Sequence, residues 1–217
     1  RPFGVAIDLT GNYYIGDNLN HLIRKITPNG TVTTFAGSAG VAGSTDGVGS
    51  AASFKNPFGI VIDSFGNLFV AEWGNHLIRK ITPTGTVTTF AGGACIAGYI
   101  DGVGTAARFS IPHYMAIDTF GNIIVADTGN NLIRKITPNA TVTTIAGSAG
   151  IAGSADGIGS AARFNTPYGI AIDSSGDLYV ADSGNHLIRK IKSCNLYNRA
   201  RNMTAIKILK IIPSLLE

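Results

Sequence analysis

Charged residues and cysteines are both scarce in this sequence of 217 residues. Charged residues make up 14% of the chain, and its two cysteines, Cys95 and Cys194, do not form a Cys-x-x-Cys pair. Neither a disulfide framework nor a structural zinc site is therefore predicted. No apolar run reaches the roughly 18 residues of a membrane-spanning helix, so we expect no membrane span.

The positive charge of the chain is concentrated at its C-terminal end. The net charge is +4, yet residues 1–191 contain 12 basic and 12 acidic residues, whereas residues 192–217 contain five basic residues and one acidic residue. A body without net charge does not attract a phosphate backbone. This distribution argues against nucleic acid as a partner.

What the sequence does contain is a segment of 55 residues that recurs four times. Ile-Asp recurs at this spacing at residues 7–8, 62–63, 117–118 and 172–173, and residues 2–56 and 112–166 are identical at 35 of 55 positions. Such a period indicates a solenoid, a propeller or an array. The copies are residues 2–56, 57–111, 112–166 and 167–191, the last one partial, followed by a divergent basic tail, 192–217.

Each copy is predicted to form four short strands. In the second copy, apolar or β-rich runs at 59–63, 68–71, 76–82 and 86–91 are separated by turns that contain Gly, Asn or Pro. One such antiparallel sheet would expose two apolar faces, so the copies must stack. Radial stacking of four-stranded sheets is the β-propeller, and we predict an all-β protein with that fold.

Long connections join the copies, and we call them the inter-blade segments: residues 37–54, 92–109 and 147–164. Each contains an Asp before Gly-x-Gly (Asp46, Asp101, Asp156) and ends in Ala-Ala-x-Phe (Phe54, Phe109, Phe164). We expect a tight loop, then a short turn of helix whose Phe packs on the core. Connections of this length are usually functional or ordered by their own packing.

One tripeptide, Asn-His-Leu, stands at 20–22, 75–77 and 185–187, with Asn-Asn-Leu at 130–132. It follows Pro-x-Gly-Ile-x-Ile-Asp-x-x-Gly-Asn-Leu-x-Val-Ala-Asp. Over residues 2–191 the sequence resembles the NHL-repeat family, in the variant with an Asp-Gly-x-Gly-x-Ala-Ala-Arg-Phe loop between blades. The resemblance implies a β-propeller, commonly six-bladed, that mostly binds proteins or other ligands on one face.

Four copies are fewer than this family usually needs for a ring, so we expect an open arc of a larger propeller. The chain opens with Arg1-Pro2-Phe3-Gly4, already inside the repeat pattern, and shows neither an initiator Met nor a signal peptide, which also predicts a fragment or processed piece. Residues 204–212 could supply the outer strand of the last blade or form an amphipathic helix. An open arc exposes apolar blade faces at its ends, which favours self-association.

Two groups of residues are candidates for ligand binding on the face that carries the inter-blade segments. Phe3, Phe58, His113 and Tyr168 each follow a Pro at the start of an innermost strand and should ring the channel entrance, unless they merely pack the loops. Six residues that depart from the repeat predict a protein- or peptide-binding patch on blades two and three: Trp73, Tyr99, Arg108, His113, Tyr114 and Arg163.

Other polar residues recur in the repeat and are interpreted as structural. His21, His76 and His186 share one position and are turn residues, too far apart across blades to coordinate a metal. His113 lacks the further ligands that zinc needs, so no metal is predicted. The acidic residues at 17, 72, 127 and 182 pair with an Arg of their own copy or cap turns. Asp46, Asp101 and Asp156 are solitary turn residues rather than calcium ligands.

The sequence contains no catalytic constellation and implies no cofactor. We therefore predict a non-catalytic binding or scaffold module for a protein or peptide ligand. Two alternatives stay open: part of a propeller enzyme, a metal-dependent lyase or lactonase whose ligands lie mostly elsewhere, and a purely structural array. The Ser-, Thr-, Gly- and Asn-rich surface favours an extracellular or periplasmic location.

Overall fold

A computed structural model describes residues 1–192 and the strand Ile208–Ile211. These residues form four antiparallel sheets arranged as the blades of a β-propeller, which confirms the predicted fold class. Within the described residues, no helix has both the length and the apolar character needed to cross a membrane. Cys194 and most of the tail lie outside the described residues.

Strands are numbered along the chain. In blades 2 and 3 the short strand that is given first pairs at the outer edge of the sheet, and the other strands of every blade run from inner to outer. Blade 1 contains β1 (Pro2–Ile7), β2 (Tyr13–Asp17), β3 (Leu22–Ile26) and β4 (Val32–Ala36). Blade 2 contains β5 (Gly47–Val48), β6 (Pro57–Ile62), β7 (Leu68–Glu72), β8 (Leu77–Ile81) and β9 (Thr86–Ala91). Blade 3 contains β10 (Gly102–Val103), β11 (Pro112–Ile117), β12 (Ile123–Asp127), β13 (Leu132–Ile136) and β14 (Thr141–Gly147). Blade 4 contains β15 (Pro167–Ile172), β16 (Leu178–Asp182), β17 (Leu187–Ile191) and β18 (Ile208–Ile211).

Short 3-10 turns of three residues complete the secondary structure. They span Asn18–Asn20, Gly49–Ala51, Gly104–Ala106, Thr128–Asn130, Gly159–Ala161 and Ser183–Asn185. Those at 49, 104 and 159 are the helical turns expected in the inter-blade segments. The Phe that follows each of them is fully buried, as the sequence predicted.

The turn between the first two strands of each blade is built on an Asp side chain. Asp63 Oδ1 accepts hydrogen bonds from the backbone N–H groups of Phe65 and Asn67, at 2.9 and 2.8 Å. Gly66 adopts a φ of +80°, a conformation that glycine reaches without a steric cost. The turns at Asp8, Asp118 and Asp173 repeat this bonding, so the Ile-Asp of every copy marks the same hairpin.

The outer strand of blade 4 comes from the divergent tail. Ile208–Ile211 pairs antiparallel with β17, with Ile191 opposite Ile208 and Ile188 opposite Ile211. This is the place that β4, β9 and β14 take in the other blades. Blade 4 therefore has a fourth strand, although its sequence departs from the repeat after Ile191.

Apolar side chains fill the space between neighbouring blades. Three buried clusters lie between blades 1 and 2, 2 and 3, and 3 and 4. At the end of the arc, the face of blade 1 that has no described blade before it is exposed. Val5 and Val32 are 58% and 51% exposed, whereas Val87, the counterpart of Val32 in blade 2, is 1% exposed. Ile188, on the outward face of blade 4, is also exposed.

Candidate ligand-binding site

A bulge in each innermost strand positions the residues that follow its proline. In blade 2, Pro57 lies opposite Glu72 and Ile60 lies opposite Val70, so β6 has one more residue than β7 over this stretch. The same irregularity occurs in β1, β11 and β15. Bulges re-aim side chains, and here they act at the equivalent point of all four blades.

Glycines next to these positions let the inner strands approach closely. A Cβ added to Gly4 would lie 2.2 Å from the carbonyl oxygen of Phe58, and one added to Gly59 would lie 2.3 Å from the carbonyl oxygen of His113. No side chain fits at such distances. The close contact of backbones brings the rings of successive blades together.

Six rings meet at this point and form what we call the aromatic cluster: Phe3, Phe58, Trp73, His113, Tyr114 and Tyr168. Phe58 lies at the centre. Its ring centroid is 4.1 Å from that of Phe3, 4.7 Å from that of His113 and 5.2 Å from that of Tyr114. It also lies 5.6 Å from Tyr168 and 6.4 Å from Trp73, so rings from all four blades contact one side chain.

The rings in the middle of the cluster are buried, and the rings at its margin are partly exposed. Phe58 and His113 are 1% and 8% exposed, whereas Phe3 and Trp73 are 37% and 40% exposed. The sequence predicted that residues 3, 58, 113 and 168 ring a channel entrance. The four do lie together, but Phe58 fills the centre instead of lining an opening. Trp73 and Tyr114, predicted on other grounds, extend the same cluster.

His113 is the polar residue at the centre of the cluster. Its ring lies 4.4 Å from Tyr168 and 5.7 Å from Trp73, and its Nδ1 has no hydrogen-bond partner among the described residues. Burial lowers the pKa of His113 to about 4, so the imidazole is neutral at pH 7. Within the part of the chain that is described, no three His, Cys, Asp or Glu side chains are grouped to hold a metal ion.

Three residues predicted for the same patch are not part of the aromatic cluster: Tyr99, Arg108 and Arg163. Tyr99 is exposed on the inter-blade segment 92–109. Arg108 Nη1 donates to the carbonyls of Thr105 and Ala107, at 2.5 and 2.6 Å. Arg163 makes the equivalent bonds, so both guanidinium groups hold their own inter-blade segments. The sequence could have indicated this structural role, because the two arginines occupy the same position of their copies.

The recurrent histidines connect each blade to the next one. His21 Nδ1 accepts a hydrogen bond from the backbone N–H of Asn56 at 3.2 Å, and His76 Nδ1 accepts one from Ile111 at 3.1 Å. In the third copy, Asn131 Oδ1 accepts from the N–H of Thr166 at 2.8 Å. The residues at 21, 76, 131 and 186 all have φ between 55° and 60°. Their predicted role as structural turn residues agrees with these bonds.

A buried arginine joins two carboxylates in blades 2, 3 and 4. Arg79 is fully buried, and its Nη1 lies 2.6 Å from Glu72 Oε1 while its Nη2 lies 2.7 Å from Asp46 Oδ1. Its guanidinium also lies 5.3 Å from the Phe54 ring. The predicted pairing with the acid of the same copy is confirmed here. The view of Asp46 as a solitary turn residue is wrong, because its carboxylate binds the arginine of the next copy.

Arg134 and Arg189 repeat the arrangement with the carboxylates at 101 and 127 and at 156 and 182, respectively. Burial raises the pKa of Asp127 to about 6, although the nearby Arg134 charge opposes the change. Blade 1 differs, because Arg24 Nη1 donates to Thr34 Oγ1 at 2.7 Å and Asp17 accepts from Asn20. Ion pairing within the copy is therefore confirmed in three blades and not in the first.

Bulged inner strands, Asp-based hairpins and His-mediated links define a β-propeller whose blades are held together by their turns. A family model for the NHL repeat matches residues 164–191. NHL repeat-containing protein 2 of Bos taurus is 32% identical over 173 residues, which are 74% of this chain and 24% of that protein. The chain belongs to the NHL-repeat β-propeller family, and it spans about a quarter of the length of this relative.

Solved structures agree on the architecture. A structural genomics protein of unknown function from Bacteroides thetaiotaomicron superposes with a TM-score of 0.73 at 26% identity, over 87% of this chain and 46% of that one. A gluconolactonase from Xanthomonas campestris superposes with a TM-score of 0.64 over 89% of this chain and 59% of that one. At 15% identity, the second likeness shows the fold alone.

Proposed function

We propose that the chain is a non-catalytic binding or scaffold module that recognises a protein or peptide on the face carrying the inter-blade segments. The aromatic cluster is the observation that supports this function. It collects six rings from four blades in one place, and two of its rings at the margin, Phe3 and Trp73, are more than a third exposed. Trp and Tyr are the residue types that most often dominate the energy of protein interfaces.

The physical character of the cluster points to an apolar or aromatic side chain as the group it contacts. The marginal rings rest on Phe58 and His113, which are buried, so they lose little freedom when a ligand binds. His113 is neutral, and each ring contact of Phe58 is with another aromatic or imidazole ring. A neutral, prearranged surface favours a ligand that buries a ring or an aliphatic side chain.

Selection of peptides from a random displayed library on the immobilised protein tests this proposal. We expect the selected peptides to carry aromatic or aliphatic residues and to bind at least tenfold more weakly to Trp73→Ala than to the unchanged protein, because a buried indole contact is worth more than about 1.4 kcal/mol. Binding would be measured by isothermal titration calorimetry.

Phe65→Ala provides a matched control. Phe65 is also a strongly exposed aromatic residue, but it lies in the hairpin turn at the opposite end of the strands. This variant should bind the peptides normally. Equal binding by Trp73→Ala and Phe65→Ala would contradict the proposal. Thermal unfolding of both variants would separate a loss of binding from a loss of folding.

A further inference from the structure

Trp73 occupies a position that two other copies use to join neighbouring blades. In blade 1, Asn18 Nδ2 donates to the carbonyl oxygen of Pro57 at 3.2 Å, and in blade 3, Thr128 Oγ1 donates to that of Pro167 at 2.5 Å. Trp73 makes no such bond to a described residue, and it is 40% exposed where Asn18 and Thr128 are buried. The second copy therefore gives up a hydrogen bond between blades and presents an indole ring.

Tyr114 departs from the repeat in the next blade. The other copies have glycine here, and a Cβ on Gly59 would lie 2.3 Å from the carbonyl oxygen of His113, so the regular packing leaves no room for a side chain. The Tyr114 ring nevertheless packs on Phe58 and Tyr168, at centroid distances of 5.2 and 5.5 Å. Blades 2 and 3 pack against a described blade on both sides, so Trp73 and Tyr114 belong to the interior of the arc.

The accessible rings of the cluster carry uncharged hydrogen-bond donors. The indole N–H of Trp73 and the hydroxyl groups of Tyr114 and Tyr168 have no hydrogen-bond partner among the described residues, although all three rings pack against neighbours. Burial and the nearby Tyr114 raise the pKa of Tyr168, so its hydroxyl stays protonated at neutral pH. None of the six side chains in the cluster is a carboxylate or an amide. The cluster thus offers aromatic walls and neutral donors, without a carboxylate or amide side chain to accept a peptide N–H.

We propose that the aromatic cluster binds a proline-rich segment of a protein partner in the polyproline II conformation, an inference that rests on the binding function proposed above. Proline brings an apolar ring and a carbonyl acceptor but no N–H, so it matches what the cluster offers. An ordinary extended peptide would bury one N–H per residue without a side-chain acceptor, which costs free energy. An oligosaccharide, whose hydroxyl groups are donors as well as acceptors, would meet the same lack.

The dimensions and the entropy of such a segment also suit the cluster. A polyproline II helix rises about 3.1 Å per residue, so one turn of three residues covers about 9 Å, the extent of two or three of these rings. The conformation exists before binding, which reduces the entropy lost on association. Aromatic-lined grooves use this property to recognise proline-rich segments.

Trp73 is the only tryptophan of the chain, so its intrinsic fluorescence reports directly on the proposed site. Titration with a peptide of ten prolines should shift the emission maximum to shorter wavelength and reach saturation, because a bound ring displaces water from the indole. A peptide of ten alternating Gly and Ser residues should cause no shift. This measurement uses the unchanged protein and does not depend on the folding of a variant.

Variants that keep each ring test the donors separately. Tyr114→Phe and Tyr168→Phe remove only a hydroxyl, and Trp73→Phe removes the indole N–H. Each should weaken the affinity for a fluorescent decaproline peptide by roughly three- to tenfold, measured by fluorescence anisotropy. Tyr99→Phe is the matched control, since it removes a hydroxyl from an exposed tyrosine of the inter-blade segment 92–109, outside the cluster. It should leave the affinity unchanged.

The proposal is overturned if decaproline does not bind, if it binds without changing the emission of Trp73, or if the three variants bind it as the unchanged protein does. Library-selected peptides that require Trp73 but contain no proline would refute this inference and still support the proposed binding function. Binding of maltohexaose in place of decaproline, with the same shift in Trp73 emission, would refute both, because the ligand would then be a carbohydrate.

Discussion

At the scale of single residues, the aromatic cluster holds a histidine that cannot ionise at low cost. His113 is almost fully buried among rings, and its Nδ1 has no hydrogen-bond partner in the described part of the chain. Burial therefore lowers its pKa from 6.5 to about 4. In the first and second copies the same position holds Phe3 and Phe58. The fold accepts a neutral imidazole where its other copies use a benzene ring.

His113 should make the stability of the protein depend on pH between 4 and 6.5. In this range the unfolded chain binds a proton at residue 113 and the folded chain does not, so stability falls as the pH is lowered. A shift from 6.5 to about 4 corresponds to about 3 kcal/mol at low pH. His113→Phe should remove this loss, as urea unfolding at several pH values would show.

The difference in unfolding free energy between the unchanged protein and His113→Phe reports on residue 113 alone. The buried carboxylates, whose pKa values are raised, act in the opposite direction but are common to both. Parallel stability curves for the unchanged protein and His113→Phe from pH 7 to pH 4 would contradict the prediction.

At the scale of structural elements, each blade is fastened to its neighbour by a residue in a left-handed conformation. His76 has a φ of 60°, and its Nδ1 accepts the N–H of Ile111. Burial and the charge of Lys55 lower the pKa of His76, which keeps this nitrogen available as an acceptor. Asn131 does the same with its side-chain oxygen and is also tolerant of positive φ. This shared function explains why the tripeptide reads Asn-His-Leu three times and Asn-Asn-Leu once.

Substitutions at His76 should separate the backbone and side-chain parts of this link. His76→Asn should leave stability nearly unchanged, because Asn supplies both features. His76→Gly keeps the conformation but loses the acceptor, which should cost about 1 kcal/mol. His76→Ala loses both and should cost about 2 kcal/mol or more. Urea unfolding would measure the three variants, and an equal loss for Gly and Asn would show that the hydrogen bond contributes nothing.

The sequence was sufficient to predict the strands and turns but not all of the side-chain contacts between them. Strands, hairpin turns and the buried Phe54 follow from alternation, Asp-x-x-Gly and the period of 55, which are local signals. The pairing of Asp46 with Arg79 joins residues 33 apart in different copies, and Glu72 offered a nearer partner for the arginine. The recurring separation between Asp101 and Arg134 and between Asp156 and Arg189 was the signal that could have revealed it.

The shape of the aromatic cluster had no comparable signal. Which ring fills the centre of the aromatic cluster depends on how the inner strands of different blades approach one another. The sequence of a single copy does not determine that arrangement. Tyr114 is the one residue of the cluster for which the sequence carried a structural signal. The other copies have Gly4, Gly59 and Gly169 at its position. A tyrosine where three copies keep glycine marks a local change in the packing of the inner strands.

At the scale of the whole molecule, the arc ends in two exposed apolar faces. Val5, Ile7 and Val32 lie on the face of blade 1, and Ile188 lies on that of blade 4. Exposed apolar patches of this kind favour association between molecules. Because the two faces are complementary in the interior of the arc, contact between them would be head-to-tail rather than symmetric.

We expect the purified chain to self-associate as its concentration rises, in light scattering coupled to size-exclusion chromatography. Val5→Lys should shift the distribution towards the monomer, since it places a charge in the apolar face. Leu9→Lys, at a fully exposed position in a hairpin turn, serves as the control. A chain that is monomeric at every concentration would contradict this expectation.

The inter-blade segment bound by each of blades 2, 3 and 4 comes from the chain before that blade. Asp46 and Phe54 precede β6, and Asp101 and Phe109 precede β11. These contacts therefore have a fixed direction along the sequence. A cut just after β9 leaves blade 2 with every contact of its own arginine, whereas a cut just before β11 deprives blade 3 of both its carboxylate ligand and its extra strand. During synthesis on the ribosome, blades 2, 3 and 4 emerge after the inter-blade segments that they bind, so these contacts can form in the order in which the chain is translated.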